Sequence, residues 1–180
     1  MQNQVDLTLM EFVEKQILPR YTAFGESHGL YHVTRVIKNS LELARMLGAD
    51  INMAYAIAAY HDLGMEGPRA IHHITSGKIL TADARLKKWF SPEQIKIMRE
   101  AVEDHRASAS HAPRSIYGKI VAEADRDSHM EEKYSNNGYI NLWIPHSPNE
   151  KKLKELRDII VNKELLRQYF DKIYDKIIAG

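Results

Sequence analysis

The sequence predicts an all-α protein, and three observations carry that expectation. Apolar residues recur at three- and four-residue spacing through most of the chain, as one buried face of a helix requires. Helix start and stop signals punctuate these runs, among them Ser91-Pro92-Glu93-Gln94 and Gly48. No set of alternating apolar and polar segments between them is long enough to build a sheet. At 180 residues the chain suits one domain with a sizeable core, so residues 1–180 are read as a single unit.

The elements follow in order. From Val5 to Leu18, Leu9, Phe12, Val13 and Ile17 share a helical face, and Pro19 stops the run. His28 to Leu47 continues the pattern through Val33, Val36, Ile37, Leu41 and Leu43, and Gly48 sits where a helix C-terminus favours glycine. Asp50 or Asn52 then caps a helix of small and greasy residues, INMAYAIAAY, which ends at His61-Asp62. A further helix is expected over 70–84. Ser91 caps the next, with Pro92 at its first position, running to about Arg106. Pro113-Arg114-Ser115 opens another, reaching about Ser128. The stretch 136–150, NNGYINLWIPHSPNE, is the one long irregular segment. Its Tyr139 and Trp143 form either a lid over a base or a hydrophobic contact beneath a loop. An amphipathic helix over 151–178 closes a C-terminal extension of about 148–180, suited to packing on the domain or to pairing two chains as a homo-oligomer.

Composition removes several classes of function. Twenty-five basic residues against twenty-four acidic give a net charge of +1, and no basic stretch with interleaved aromatics marks nucleic acid as a primary partner. The absence of cysteine removes disulfides, thiolate metal sites and cysteine nucleophiles. No apolar run approaches the length of a membrane span, and the first residues lack the pattern of a signal peptide. A cytoplasmic location is expected.

Seven of the nine histidines fall between residues 28 and 111. His28 and His32 lie one turn apart on one helical face. His61-Asp62 ends the greasy helix, where burying even an uncharged polar group costs roughly 2–7 kcal/mol unless it is satisfied. His72-His73, His105 and Asp125 follow on successive helices. One or two imidazoles or carboxylates per helix is how a bundle builds an internal metal site. Imidazole with carboxylate and no thiolate suits a borderline or hard divalent ion, Mn, Fe, Co, Ni, Zn or Mg.

The order H…HD…D, at His32, His61-Asp62 and Asp125, resembles the HD superfamily of metal-dependent phosphohydrolases. HVTRV (32–36), AAYHDLG (58–64) and KIVAEADR (119–126) match the local contexts of that pattern over about 28–128. The resemblance implies a compact HD-domain helical bundle with added N- and C-terminal helices. It also implies that His32, His61, Asp62 and Asp125 ligate one divalent ion, with metal-activated water cleaving a phosphate ester. His73 begins HITSGKIL, similar to the H-x-x-x-G-x-x-L block of two-metal relatives, and His105 stands in EDHR. These two histidines are expected to be second-metal ligands, with Asp62 bridging, or to contact substrate phosphate or act as general acid to the leaving group, against the alternative of no role at the site.

Departures from the family's best-known branches narrow the substrate. Met65 stands where cyclic-dinucleotide phosphodiesterases carry Lys and where monophosphate nucleotidases carry Glu, with Glu66 one place off. SASHAP (108–113) replaces Gly-Tyr-Pro. The chain is nearer the small bacterial HD proteins, among them nucleoside-triphosphate pyrophosphohydrolases, so a nucleotide or related phosphate ester is the expected substrate.

Arg35, one turn beyond His32, is expected to hold a phosphate or a ligand carboxylate. His28 either touches substrate, orients His32 or caps its helix. Arg69, Arg106, Arg114 and Lys119 are expected to grip phosphate, each against the alternative of a solvated charge. Glu103 and Asp104 either fix the His105 tautomer or face water. His72, His111, His129 and His146 match no family position and are expected to be structural or exposed. Two other functions stand beside phosphohydrolysis: a di-iron oxygenase using the full H…HD…H…H…D set, and a non-enzymatic regulatory module stabilised by its metal.

Overall fold

In the computed structural model, residues 4–106 and 111–137 are described, and they form six α-helices with short 3₁₀ turns and no strand among them. The helices are α1 (Leu7–Gln16), α2 (Leu30–Leu47), α3 (Ile51–Tyr60), α4 (His72–Ala82), α5 (Pro92–Asp104) and α6 (Ile116–Asn137). The fold class is all-α, as the spacing predicts. The terminal helix expected over 151–178 and the irregular segment beyond Asn137 lie outside the described residues. Among the described residues no helix is long and apolar enough to cross a membrane.

The centre of the bundle is α3. Nine of its ten residues are buried, from Ile51 to Tyr60 with Asn52 excepted, as a helix that is apolar on every side must be. Around it, α2 packs against α3 and α6, while α5 packs against α3, α4 and α6. Val33, Val36, Ile57, Leu80, Met98, Val102, Ile120 and Val121 fill the space between them.

Several ends of helices obey the local chemistry closely. Asp6 caps α1 by accepting from the N–H groups of Thr8 and Leu9, and its own N–H reaches the side chain of Asn52 on α3. Gly48 ends α2 at φ 66°, a left-handed conformation that favours glycine. Of the two capping candidates for α3, Asp50 does the work, accepting from Asn52 and Met53 N–H. Ser91 and Gln94 form a complete capping box on α5, with Pro92 in the first turn.

Other boundaries move, and the shifts matter for the site. Val5 precedes the first helix, which stops at Gln16, and Pro19 then stands in a 3₁₀ helix, Leu18–Ala23. The missing proline N–H is no loss in a first turn. His28 belongs to the 3₁₀ turn Glu26–His28, so α2 starts two residues later than the periodicity suggests. A Cβ at Gly29 would overlap the Gly25 carbonyl, so the chain turns tightly there. At the start of α4 the 3₁₀ turn Arg69–Ile71 precedes His72, and α6 continues to Asn137 rather than stopping near 128.

Candidate metal centre

The site forms where α2, α3, α4, α5 and α6 converge, and Asp62 is its hub. Asp62 follows the last turn of α3 and is 2% exposed. Its Oδ2 lies 2.9 Å from His28 Nδ1, 3.5 Å from His32 Nε2 and 3.4 Å from His61 Nε2. Its Oδ1 lies 3.3 Å from His72 Nε2 and 3.4 Å from His105 Nε2. Asp125, from α6, completes the first side, with Oδ1 3.2 Å from His32 Nε2 and 3.8 Å from His61 Nε2. One carboxylate therefore presents a separate oxygen to each of two histidine groups.

Helix-end chemistry fixes how the imidazoles face inward. The last carbonyls of a helix have no partner within it. His61, just beyond α3, donates Nδ1–H to the Ala58 carbonyl at 2.7 Å. His105, just beyond α5, does the same to Val102 at 2.6 Å, and His72 to Arg69 at 2.8 Å. Each histidine thus bonds the carbonyl three residues before it. A carbonyl can only accept, so each of these rings carries hydrogen on Nδ1 and turns Nε2 into the cluster.

The consequence is a cluster of electron-rich atoms that calls for positive charge beside it. His72 Nε2 and His105 Nε2 face each other at 3.2 Å, both beside Asp62 Oδ1. Burial pulls the His105 pKa down, but the bond to Asp62 outweighs it and raises the pKa, so a proton or a metal cation suits this side of the cluster. On the other side, His32 Nε2 and His61 Nε2 stand 3.2 Å apart. Burial pulls the His32 pKa down, but Asp125 and Asp62 outweigh it and raise the pKa to about 9. Burial works against the ionised form of Asp62 and Asp125 too, yet the surrounding histidines hold both carboxyls below the usual carboxylate range. Both shifts favour positive charge between these groups, which a proton or a metal ion can supply. Three groups of ligand atoms lie within 4.8 Å of one another: His28, His32 and Asp62; His32, His61 and Asp125; Asp62, His72 and His105. The donors present therefore fit one or two divalent ions.

Among the expected residues, His32, His61, Asp62, Asp125 and His105 all meet here. His73 does not. The structure turns its neighbour His72 inward and leaves His73 half-buried on another side of α4, where burial and the nearby His72 and Arg106 lower its pKa. The reason lies in how α4 crosses the turn after Asp62. A Cβ on Gly64 would overlap the His72 carbonyl oxygen and stand 2.7 Å from Ser76 N. Ser76 Oγ, fully buried, accepts the Gly64 N–H at 2.8 Å. This backbone-on-backbone contact sets the rotation of α4, and adjacent helical residues point about 100° apart.

The flanking residues divide. His28 donates Nδ1–H to Asp62, because its Nε2 accepts from Arg69 Nη2 at 3.3 Å. Arg69 is exposed at the rim, and Arg106 bonds the Ala70 carbonyl at 2.7 Å. Neither has a carboxylate partner among the described residues. Arg114, expected to grip phosphate, instead spends its donors on Asp104 and Glu103 at 2.8 Å each, with its own N–H also on Asp104. Its pKa is raised by the bond to Asp104 above all. That commitment also removes Asp104 and Glu103 from any role in the His105 tautomer, which Val102 sets. Arg35 donates to the Tyr31 hydroxyl at 2.8 Å, with its guanidinium 5.4 Å from that ring. Lys119 is half-buried on α6, six residues before Asp125 and so on a different helical face. Glu66, one place from the nucleotidase position, forms a two-bond pair with Arg20 at 2.7 and 2.8 Å and so holds the 18–23 turn against the turn after Asp62.

Residues 29–130 match the family model described as HD domain. Among solved structures the chain is similar to that of a predicted HD superfamily hydrolase from an uncultured Thermotogales bacterium. That likeness has a TM-score of 0.58 at 20% identity, with 92% of this chain and 91% of that chain covered. At such identity it speaks for the fold. No curated protein matches the sequence.

Proposed function

The chain belongs to the HD domain family, which it matches over residues 29–130, and we propose that it is a metal-dependent phosphohydrolase acting on a small phosphate ester, a nucleotide by preference. One observation carries the reading most: Asp62 Oδ1, His72 Nε2 and His105 Nε2 converge within 3.4 Å of one another. His32, His61, Asp62 and Asp125 would hold one divalent ion, and Asp62, His72 and His105 a second. Bound there, such ions supply a Lewis acid for a phosphoryl oxygen and a water acidified for attack on phosphorus.

The protein's own residues supply the rest. The Nδ1–H bonds of His61, His72 and His105 hold their rings in one tautomer and one orientation, so the donor set is preorganised. His28 keeps Asp62 Oδ2 hydrogen-bonded at 2.9 Å and links it to the rim through Arg69. Arg69 and Arg106, without carboxylate partners among the described residues, would meet the anionic oxygens of a phosphate ester as it enters. Two irons would use the same imidazole-rich donors, and oxygen-dependent cleavage is the second reading.

The test joins metal analysis to a panel of nucleoside mono-, di- and triphosphates and simple phosphomonoesters, with phosphate or pyrophosphate release as readout. Release by the metal-loaded protein, abolished in the His61→Ala/Asp62→Ala variant, supports the proposal. Release that survives the double substitution removes the site from the reaction. A mixed-valence di-iron signal with no release moves the protein to the oxygenase reading.

A further inference from the structure

We propose that Tyr21 is a positioning residue of the metal centre, its hydroxyl setting where α3 ends and hence where His61 and Asp62 aim. The inference rests on the reading that the cluster holds divalent metal. Tyr21 comes from the 3₁₀ helix Leu18–Ala23, about forty residues before His61 and Asp62, yet it is fully buried against the end of α3.

Its hydroxyl makes two bonds, one on each side of His61. It donates to the Ala59 carbonyl at 2.9 Å and accepts the Asp62 N–H at 3.3 Å. The carbonyls in the last turn of α3 need partners from outside the helix. Ala58 is served by the His61 ring and Ala59 by Tyr21, so two of these carbonyls are bonded by side chains packed at the centre. The Tyr21 ring also lies along the His61 ring, with centroids 6.4 Å apart and planes 28° apart. Beside it, the Arg20–Glu66 pair ties the same segment to the turn that follows Asp62. Removing the hydroxyl leaves a buried carbonyl and a buried amide without their partner and frees the backbone from which both ligands project.

A metal titration separates this role from plain stability. Full-length protein stripped of metal is titrated with Co²⁺ by calorimetry, as wild type, Tyr21→Phe and Tyr60→Phe. Tyr60 is the matched control: it lies on α3, is buried, and its hydroxyl donates to Asp83 at 2.7 Å, away from the cluster. The expected result is a Kd for Co²⁺ weakened roughly 10- to 100-fold in Tyr21→Phe, with an altered Co²⁺ visible spectrum, and a wild-type Kd in Tyr60→Phe.

Equal weakening in both variants, or a lower melting temperature in Tyr21→Phe with an unchanged Kd, overturns the proposal. Wild-type protein that binds no Co²⁺ brings down the metal reading and this proposal together. Wild-type binding that Tyr21→Phe retains brings down only the role of Tyr21. Should Tyr21→Phe not fold, hydrogen exchange in the wild type decides. Co²⁺ is expected to slow exchange of the Asp62 amide more than that of a helix-interior amide such as Ile57, and equal slowing speaks against Tyr21.

Discussion

Gly64→Ala tests the packing that builds the second half of the centre without touching a ligand. The added Cβ would overlap the His72 carbonyl oxygen and come within 2.7 Å of Ser76 N and 2.8 Å of His72 C. All three atoms are backbone, so no side chain can swing aside. Ordinary contact demands well over 3 Å, and α4 must therefore move off the turn by about 1 Å or more. That motion strains the 2.8 Å bond from Gly64 N–H to Ser76 and draws His72 away from Asp62 Oδ1, now at 3.3 Å. Overpacking of this kind costs about 1–3 kcal/mol, or a melting-temperature loss of roughly 3–10 °C for a chain of this size. The larger effect is local, since a misplacement of about 1 Å can cost 100-fold in a preorganised site. Calorimetric titration with Mn²⁺ or Co²⁺, beside thermal unfolding, is the assay. The expected outcome is a well-folded variant that retains the His32, His61, Asp62 and Asp125 side of the centre and binds one fewer ion, or the second far more weakly. Wild-type stoichiometry and affinity, with a melting temperature unchanged, would falsify the reasoning that Gly64 fixes the rotation of α4.

Two further outcomes follow from the same geometry. His72→Ala is expected to weaken metal binding at the Asp62 Oδ1 side by at least 10-fold, whereas His73→Ala leaves stoichiometry and affinity as they are. The reverse result in a titration would restore His73 as the ligand. The metal-free protein should also show a particular pH dependence. The His32 pKa stands at about 9 in the folded protein against an ordinary 6.5, so its contribution is fully present below pH 6.5 and is lost as pH rises through about 9. The shift corresponds to a loss on the order of 3 kcal/mol, read as a falling melting temperature in chelator between those limits. The metal-loaded protein should not show this alkaline loss, because the ion replaces the proton beside Asp62 and Asp125. A flat profile in chelator would deny that a proton holds His32 against those carboxylates.

Much of the architecture follows from local chemistry. A left-handed glycine suits the end of α2, a Ser-Pro-Glu-Gln run supplies its own capping box on α5, and an apolar run without a polar face must become the central helix. Each of these is decided within a few residues, where steric limits and unsatisfied N–H groups act directly. The four candidate ligands of the H…HD…D pattern were legible for a related reason. A titratable pair at the end of a buried helix is costly alone, and His32 and Asp125 were the partners whose order and context answered that cost.

The remaining features depend on contacts between distant segments. The choice between His72 and His73 turns on the rotation of α4, which Gly64 and Ser76 set across twelve residues by bringing two backbones together. Whether Arg114 meets substrate or protein depends on Asp104 being buried within its reach, a fact that a surface-charge reading has no means to supply. Tyr21 carries no motif. It matters only because Pro19 and the Arg20–Glu66 pair bring its hydroxyl to the end of α3. The amino-acid sequence by itself determined the helices, the family and the metal-binding chemistry, because these rest on local propensity and on residue types in order. Tertiary structure alone decided which imidazoles face the hub and what holds them there, because orientation is a property of packed elements.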